Sequence, residues 1–106
     1  MSLREAQQRV DAWVSQFEQG YFPPLANVAR LAEEVGELAR EINHQFGPKQ
    51  KKADEPPGSI GMELADILFV VICIANSQHI DLDDAFAQMI AKVTSRDAGR
   101  WTRKAR

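Results

Sequence analysis

The chain has 106 residues, which is room for one hydrophobic core and no second domain beside it. Its 44% hydrophobic and 26% charged residues are ordinary for a folded domain and exclude disordered, collagen-like and mucin-like chains. Thirteen Lys and Arg against 15 Asp and Glu leave a formal charge of -2, too balanced for broad attraction to nucleic acid or a membrane surface, so any phosphate chemistry must be local.

Ser2 and Glu5 make a capping-box pattern, and Ala6, Val10, Trp13, Val14 and Phe17 recur behind them at helical spacing until Gly20. The second helix is expected to begin at Pro23-Pro24. Its stripe of Val28, Leu31, Val35, Leu38, Ile42 and Phe46 steps by three or four until Gly47-Pro48 stops it. From Gly47 to Ser59 the composition turns to Pro, Gly and Lys, a surface loop carrying Lys49, Lys51 and Lys52. Ser59 caps a third helix that is apolar on nearly every side from Leu64 to Ala75 and must be enclosed by others. Asp81 caps a fourth, with Leu82, Phe86, Met89, Ile90 and Val93 at helical spacing, running out in the charged tail that starts at Arg96.

No repeat and no strand pattern competes, so the expected fold is all-α, a four-helix bundle-like protomer. Four short helices would struggle to cover the third, which predicts a homo-oligomer. Cys73, the single cysteine, sits in the apolar run and reads as a small buried hydrophobe rather than a disulfide partner. The N-terminal residues carry charges at short intervals and lack a signal-peptide pattern. The longest uninterrupted apolar run, Ile67 to Ala75, is well short of the roughly 20 residues of a membrane span. A soluble cytoplasmic protein is the expectation.

Glu34, Glu37 and Glu41 fall on a stripe flanking the apolar face of the second helix, and Glu33 points further away. On the third helix Glu63 and Asp66 stand one turn apart on its only polar margin, where charge is expensive. Side by side, the two helices would bring Glu34, Glu37, Glu63 and Asp66 together, and four carboxylates at that range repel unless cations neutralise them. Oxygen-only ligands favour hard cations, Mg²⁺ first and Mn²⁺ next. The plainer alternative is a solvated face in which the glutamates pair with Arg30 and Arg40. Glu41 and His44 also spell the Glu-x-x-His unit of di-iron bundles, but that chemistry needs the unit twice, and His79 has Asn76 where the second Glu would be.

Glu33-Glu34-Val35-Gly36-Glu37 followed by Glu63-Leu64-Ala65-Asp66 resembles the Glu-Glu-x-x-Glu and Glu-x-x-Asp signature of the MazG nucleotide pyrophosphohydrolases. The stretches Gln16 to Leu25, Ala29 to His44, Ala65 to Asn76 and Thr94 to Lys104 are similar to short single-domain bacterial members, so the resemblance covers essentially the whole chain as one domain, 1–106. It implies an all-α dimer or tetramer that hydrolyses nucleoside triphosphates between the α and β phosphorus, with Mg²⁺, to monophosphate and pyrophosphate. By motif position it makes Glu34, Glu37, Glu63 and Asp66 metal ligands, and gives Glu33 a supporting or water-orienting place. It assigns Lys92 and Arg96 to phosphate contacts and Asn76 to the neighbourhood of the site. One departure is His79, where short members carry Gly before the Ile-Asp-Leu turn.

The sequence contains no Gly-rich phosphate loop, so phosphates would be held by metal and basic side chains, with Lys49, Lys51 and Lys52 placed to close over them. Trp13, Phe17, Tyr21 and Trp101 are the rings available to stack a base, although the helical stripe assigns Trp13 and Phe17 to the core first. The resulting expectation is a Mg²⁺-dependent nucleoside triphosphate pyrophosphohydrolase with a house-cleaning role toward non-standard nucleotides. Its alternatives are phosphoribosyl-ATP pyrophosphohydrolase, with the same carboxylate logic, and a non-catalytic helical module that binds metal or nucleotide.

Overall fold

The structure, a computed structural model, describes residues 1–48 and 51–105. It is all-helical, with α1 at Leu3–Val14, α2 at Pro24–Phe46, α3 at Ile60–Ser77 and α4 at Leu82–Arg96, and no strand among the described residues.

The helix starts are local chemistry. Ser2 Oγ accepts from the Glu5 amide at 3.0 Å while the Glu5 carboxylate accepts from Ser2, closing the capping box of α1. Ser59 Oγ accepts from the Met62 amide at 3.1 Å and the Asp81 carboxylate from the Asp84 amide at 3.0 Å, which fixes the starts of α3 and α4. Pro24 at the first turn of α2 gives up an amide that would have had no partner. α1 ends three residues short of the apolar stripe that reaches Phe17. The amides of Gln16 and Phe17 bond the Trp13 and Val14 carbonyls three residues back, the chain tightens, and Gly20 at φ +59° turns it toward α2.

α3 is central, with α2 packed along it and α1 against it, and the fully buried apolar side chains are all its own: Val70, Ile72, Cys73 and Ala75. By length and composition alone α3 would also pass for a membrane span, but its carboxylates face α2 and both neighbours pack on it, as suits a core helix. α2 and α3 run antiparallel, since Glu34 meets Glu63 while Asn27, seven residues earlier, shares a cavity wall with Cys73, ten residues later.

The seam between α1 and α3 is polar. Buried Gln7 donates through Nε2 to Asn76 Oδ1 at 2.9 Å and the Ile80 carbonyl at 2.7 Å, and its Oε1 accepts from the Leu82 amide at 2.8 Å. Asn76 Nδ2 donates to the Gln7 carbonyl at 3.0 Å and to Tyr21 Oη at 2.9 Å, and Tyr21 in turn donates to Asp11 at 2.7 Å. The Leu3 and Arg4 amides at the start of α1 donate to the Asp83 carboxylate, both at 3.2 Å, joining α1 to α4.

The enclosure expected for α3 is incomplete within the chain. Its Leu64 and Leu68 stay about half exposed, and α2 turns its polar edge toward α3, leaving Val28, Val35 and Ile42 at seven-residue spacing on the outside. The acidic edge, and not this apolar stripe, is the side of α2 that meets α3. The radius of gyration is 17.8 Å against about 13 Å for a compact domain of this length, so the four helices are opened out rather than closed on one another.

α3 ends in a two-bond cap: the Ile80 amide donates to the Ala75 carbonyl at 2.9 Å and the His79 amide to the Asn76 carbonyl at 3.2 Å. That cap needs a left-handed residue, and His79 supplies it at φ 58°, a conformation suited to glycine. His79→Gly is therefore expected to stabilise the fold by up to about 1 kcal/mol, read as a rise in Tm of a few degrees by calorimetry. A fall in Tm would mean that the His79 side chain contributes a contact of its own.

Candidate active site

Glu34 from α2 and Glu63 and Asp66 from α3 each place a carboxylate oxygen within 4.8 Å of the other two. Glu34 and Glu63 are half-buried and Asp66 is exposed, so the cluster opens to solvent on one side. The positions follow from helix geometry: Glu63 and Asp66 are one turn apart on one face, and Glu34 answers from the antiparallel neighbour.

Burial, above all, pushes the Glu63 carboxyl above its ordinary range, and Asp66, Glu37, Glu34 and Glu41 push it further in that order. Glu37 therefore acts on the cluster electrostatically while standing outside its tight triple. Glu33 is exposed and also outside the triple, pointing away as its register predicts. Three hard oxygen donors at this spacing, with no ion-pair partner among the described residues, fit a divalent cation of the Mg²⁺ or Mn²⁺ type.

Beside the cluster is a cleft of about 330 Å³ whose walls include Glu37, Arg40, Glu41, His44 and Glu63. The loop before α3 closes its far side. Lys51 Nζ pairs with Glu41 Oε2 at 3.0 Å and donates to the Pro56 carbonyl at 3.0 Å. Gly58 passes so close to the Glu41 carboxylate that a Cβ there would collide with it. Glu41 is only 6% exposed, and its hydrogen bonds from Gln45 and Lys51 hold its carboxyl below the usual range. With Glu41 bonded in this way, the Glu-x-x-His unit is not a ligand pair; His44 Nδ1 is buried without a partner among the described residues.

The remaining residues singled out by sequence lie elsewhere. Lys52 is exposed on the loop, and Lys49 lies outside the described residues. Lys92 and Arg96 are exposed on α4, which packs on α1 rather than along the α2–α3 pair, and Arg96 is paired with Asp97 at 3.2 Å. Asn76, expected in the neighbourhood of the site, lies further along α3. It is ten residues, about 15 Å, beyond Asp66 on α3, and its amide is spent on Gln7 and Tyr21.

The structure adds Asn27, which the sequence reading passed over, and gives Arg30, Trp13 and Phe17 a different setting. Asn27 and Arg30 share one stripe with Glu34, at i, i+3 and i+7, a polar series that marks a functional face rather than a core one. Trp13 and Phe17, assigned to the core by periodicity, are about half exposed and line an open cavity with Asn27 and Arg30.

Comparison with known proteins agrees with this geometry. Residues 22–101 match the pattern of the MazG nucleotide pyrophosphohydrolase domain. YpjD of Bacillus subtilis (strain 168), itself uncharacterised, is 50% identical over 103 residues, 97% of this chain and 93% of that one. A crystal structure of YpjD from Bacillus subtilis, a candidate pyrophosphatase, superposes with a TM-score of 0.78 at 48% identity, covering 87% of this chain and 94% of that one. The Bacillus-conserved MazG protein, a nucleotide pyrophosphohydrolase, gives 0.75 at 48% identity, covering 87% and 88%. Fold and site define an all-α hydrolase of pyrophosphate bonds with an acidic centre suited to a divalent metal. The chain belongs to the MazG nucleotide pyrophosphohydrolase family.

The raised carboxyl sets a pH dependence. Its contribution to stability is complete below the ordinary glutamate range and is lost as pH rises through the raised value, so the metal-free protein carries its largest repulsion near neutrality. Thermal melts should show a divalent cation raising Tm near neutral pH and doing far less at about pH 4. Glu63→Gln should raise the metal-free Tm near neutrality and remove the metal-induced shift; a variant that still gains Tm from metal would exclude Glu63 as a ligand.

Proposed function

We propose that this chain is a Mg²⁺-dependent nucleoside triphosphate pyrophosphohydrolase, with Mn²⁺ able to substitute, releasing nucleoside monophosphate and pyrophosphate. The observation that carries the reading is the convergence of Glu34, Glu63 and Asp66 from two antiparallel helices, with the Glu63 carboxyl raised by the company it keeps. Both the domain pattern over residues 22–101 and a nucleotide pyrophosphohydrolase of similar fold support a nucleotide as the substrate.

In this reading Glu34, Glu63 and Asp66 hold the metal and Glu37, one turn beyond Glu34, completes the set. A divalent cation supplies charge neutralisation for the polyphosphate and a water of lowered pKa. Glu33, exposed and outside the triple, has a supporting place behind the carboxylates beside it in this reading. Lys51 sits on Glu41 at the edge of the cleft, within reach of an exchange from carboxylate to phosphate when substrate arrives, and Lys49 and Lys52 add positive charge to the same loop. With positions fixed on helices, catalysis is mostly placement and electrostatics. A soluble, cytoplasmic enzyme of one domain, acting on small nucleotides and on neither nucleic acid nor membrane, is consistent with the net charge of -2.

The functional unit is a homo-oligomer, a dimer or tetramer. Support comes from the outward stripe of Val28, Val35 and Ile42 and from the apolar side of α4, where Phe86, Met89, Ile90 and Val93 are all at least 42% exposed. A second copy covering these faces would also bring Lys92 and Arg96 toward a set of carboxylates. Ile90→Glu is expected to shift the mass seen by light scattering toward the monomer and to lower activity with it. A wild-type monomer at micromolar concentration would end this part of the reading.

Pyrophosphate release is the direct test, measured across canonical and modified nucleoside triphosphates with Mg²⁺, with EDTA and with Glu37→Gln. The expected result is metal-dependent release that falls at least about a hundredfold in the variant while its oligomer stays intact. Absence of release from every nucleotide by folded, metal-bound protein would refute the assignment and turn attention to phosphoribosyl-ATP or to a silent binding module.

A further inference from the structure

A cavity of about 340 Å³ opens between the end of α1, the turn into α2 and the middle of α3. Its outer part is aromatic. Trp13 and Phe17 meet edge to face with ring centroids 5.1 Å apart, and the Arg30 guanidinium lies over the Phe22 ring at 5.0 Å. Its inner wall includes Asn27 and Cys73, both buried. Asn27 is 1% exposed; its Nδ2 donates to the Phe22 carbonyl at 3.3 Å, and its Oδ1 is buried with no partner among the described residues. A protein interior seldom leaves such an acceptor unpaired, because the lost hydration is not recovered.

The cavity is in register with the carboxylates. On α2, Asn27, Arg30 and Glu34 follow at i, i+3 and i+7, and on α3 Asp66, Phe69 and Cys73 follow at the same spacing. Each stripe has a carboxylate at one end and a cavity wall at the other, about 10 Å apart along the helix. A nucleotide has the same plan, anionic at one end and flat and aromatic at the other, with the sugar between. The volume is near the lower end of the roughly 300–1,000 Å³ of ligand pockets, room for a base rather than a whole nucleotide. Trp13, Phe17 and Tyr21 precede residue 22, where the match to the family pattern begins, and Phe22, Asn27, Arg30, Phe69 and Cys73 lie within it.

We infer that this cavity seats the nucleobase and that Asn27 Oδ1 selects bases carrying an amino group on the edge farthest from the sugar, cytosine and adenine. The inference rests on the nucleotide reading above and adds the base to it. In a pyrimidine the C4 substituent lies opposite the glycosidic nitrogen and reaches deepest, and in a purine the C6 substituent does. An amino group there gives the buried oxygen its donor. The O4 of uracil or thymine and the O6 of guanine would set one acceptor against another, and a site built around a hydrogen bond discriminates strongly against a partner that cannot make it. Trp13 and Phe17 supply the sequence-tolerant stacking surface.

The test compares kcat/KM for dCTP, dATP, dUTP, dTTP and dGTP, and in parallel the binding of dCMP and dUMP followed by Trp13 fluorescence in a Trp101→Phe background. The amino-bearing pair should exceed the other three by about tenfold or more, and Asn27→Leu should bring all five within about threefold of one another, chiefly by raising KM for dCTP and dATP. A purely structural Asn27 would instead lower Tm and slow all five alike. If Asn27→Leu does not fold, N4,N4-dimethyl-dCTP reads the same contact on the wild type, with an expected loss of about tenfold against dCTP. Equal turnover of all bases, a ratio unchanged in Asn27→Leu, or full activity on the dimethyl analogue would each overturn the inference. If no nucleotide is hydrolysed, the hydrolase reading fails by itself and binding decides: dCMP held over dUMP at Trp13 sustains the base seat, and equal or absent binding removes it.

Discussion

Mutual repulsion among carboxylates brought within 4.8 Å across the α2–α3 seam is the constraint around which the chain is arranged. Placing Glu63 and Asp66 on its most apolar helix is unfavourable for the protein alone, and burial leaves Glu63 harder to ionise than an ordinary glutamate. A fold optimised only for stability would put Leu or Ala there. Each carboxylate is carried by a helix packed on its neighbour, an arrangement in which a divalent cation would relieve the repulsion.

That choice propagates into the packing. To bring Glu34 to Glu63, α2 must face α3 with its polar edge, and Asn27 and Glu41 are the residues of α2 that end up buried. Val28, Val35 and Ile42 are then turned outward. The opened-out chain and its uncovered apolar faces go with the acidic seam. Glu41, buried a turn beyond Glu37, meets the same problem differently: Gln45 and Lys51 stabilise its charge within the protein, and Gly58 clears the space for the loop to reach it.

The helix starts were legible because their causes are local. Ser2 with Glu5, Ser59, Asp81 and the Pro23-Pro24 pair act on amides within three residues, and the structure has each helix beginning where those signals put it. The acidic cluster was legible for a related reason, since i, i+3 spacing fixes which carboxylates share a face and the apolar character of α3 requires a partner helix. Periodicity names a face without naming what covers it. Trp13 and Phe17 keep helical spacing yet sit on an open cavity, and the α2 stripe keeps it yet faces outward. Asn76 and Lys51 were beyond reach for another reason: their partners, Gln7 and Glu41, are 69 and 10 residues away in sequence and meet them only through the fold. His79 was marked by the family resemblance as a glycine position, and its φ of 58° supplies the cause.

Two antiparallel helices offering the same i, i+3, i+7 stripe also define a length. A carboxylate and a cavity wall recur about two turns apart on each, so the distance from acidic end to aromatic end is set by helical rise rather than by loop conformation. Recognition by such a ruler depends on what fits between its two ends. Under the proposed function the polyphosphate end would have no specificity of its own, because every nucleoside triphosphate presents the same anionic oxygens. Discrimination must therefore come from the far end, where Trp13 and Phe17 accept any flat ring and the buried Asn27 oxygen lacks a donor. The α1 segment that completes that end is joined to the core through Gln7, Asn76 and Tyr21. This gives the polar seam a second role besides holding α1 in place: it fixes the aromatic wall at a constant distance from the carboxylates.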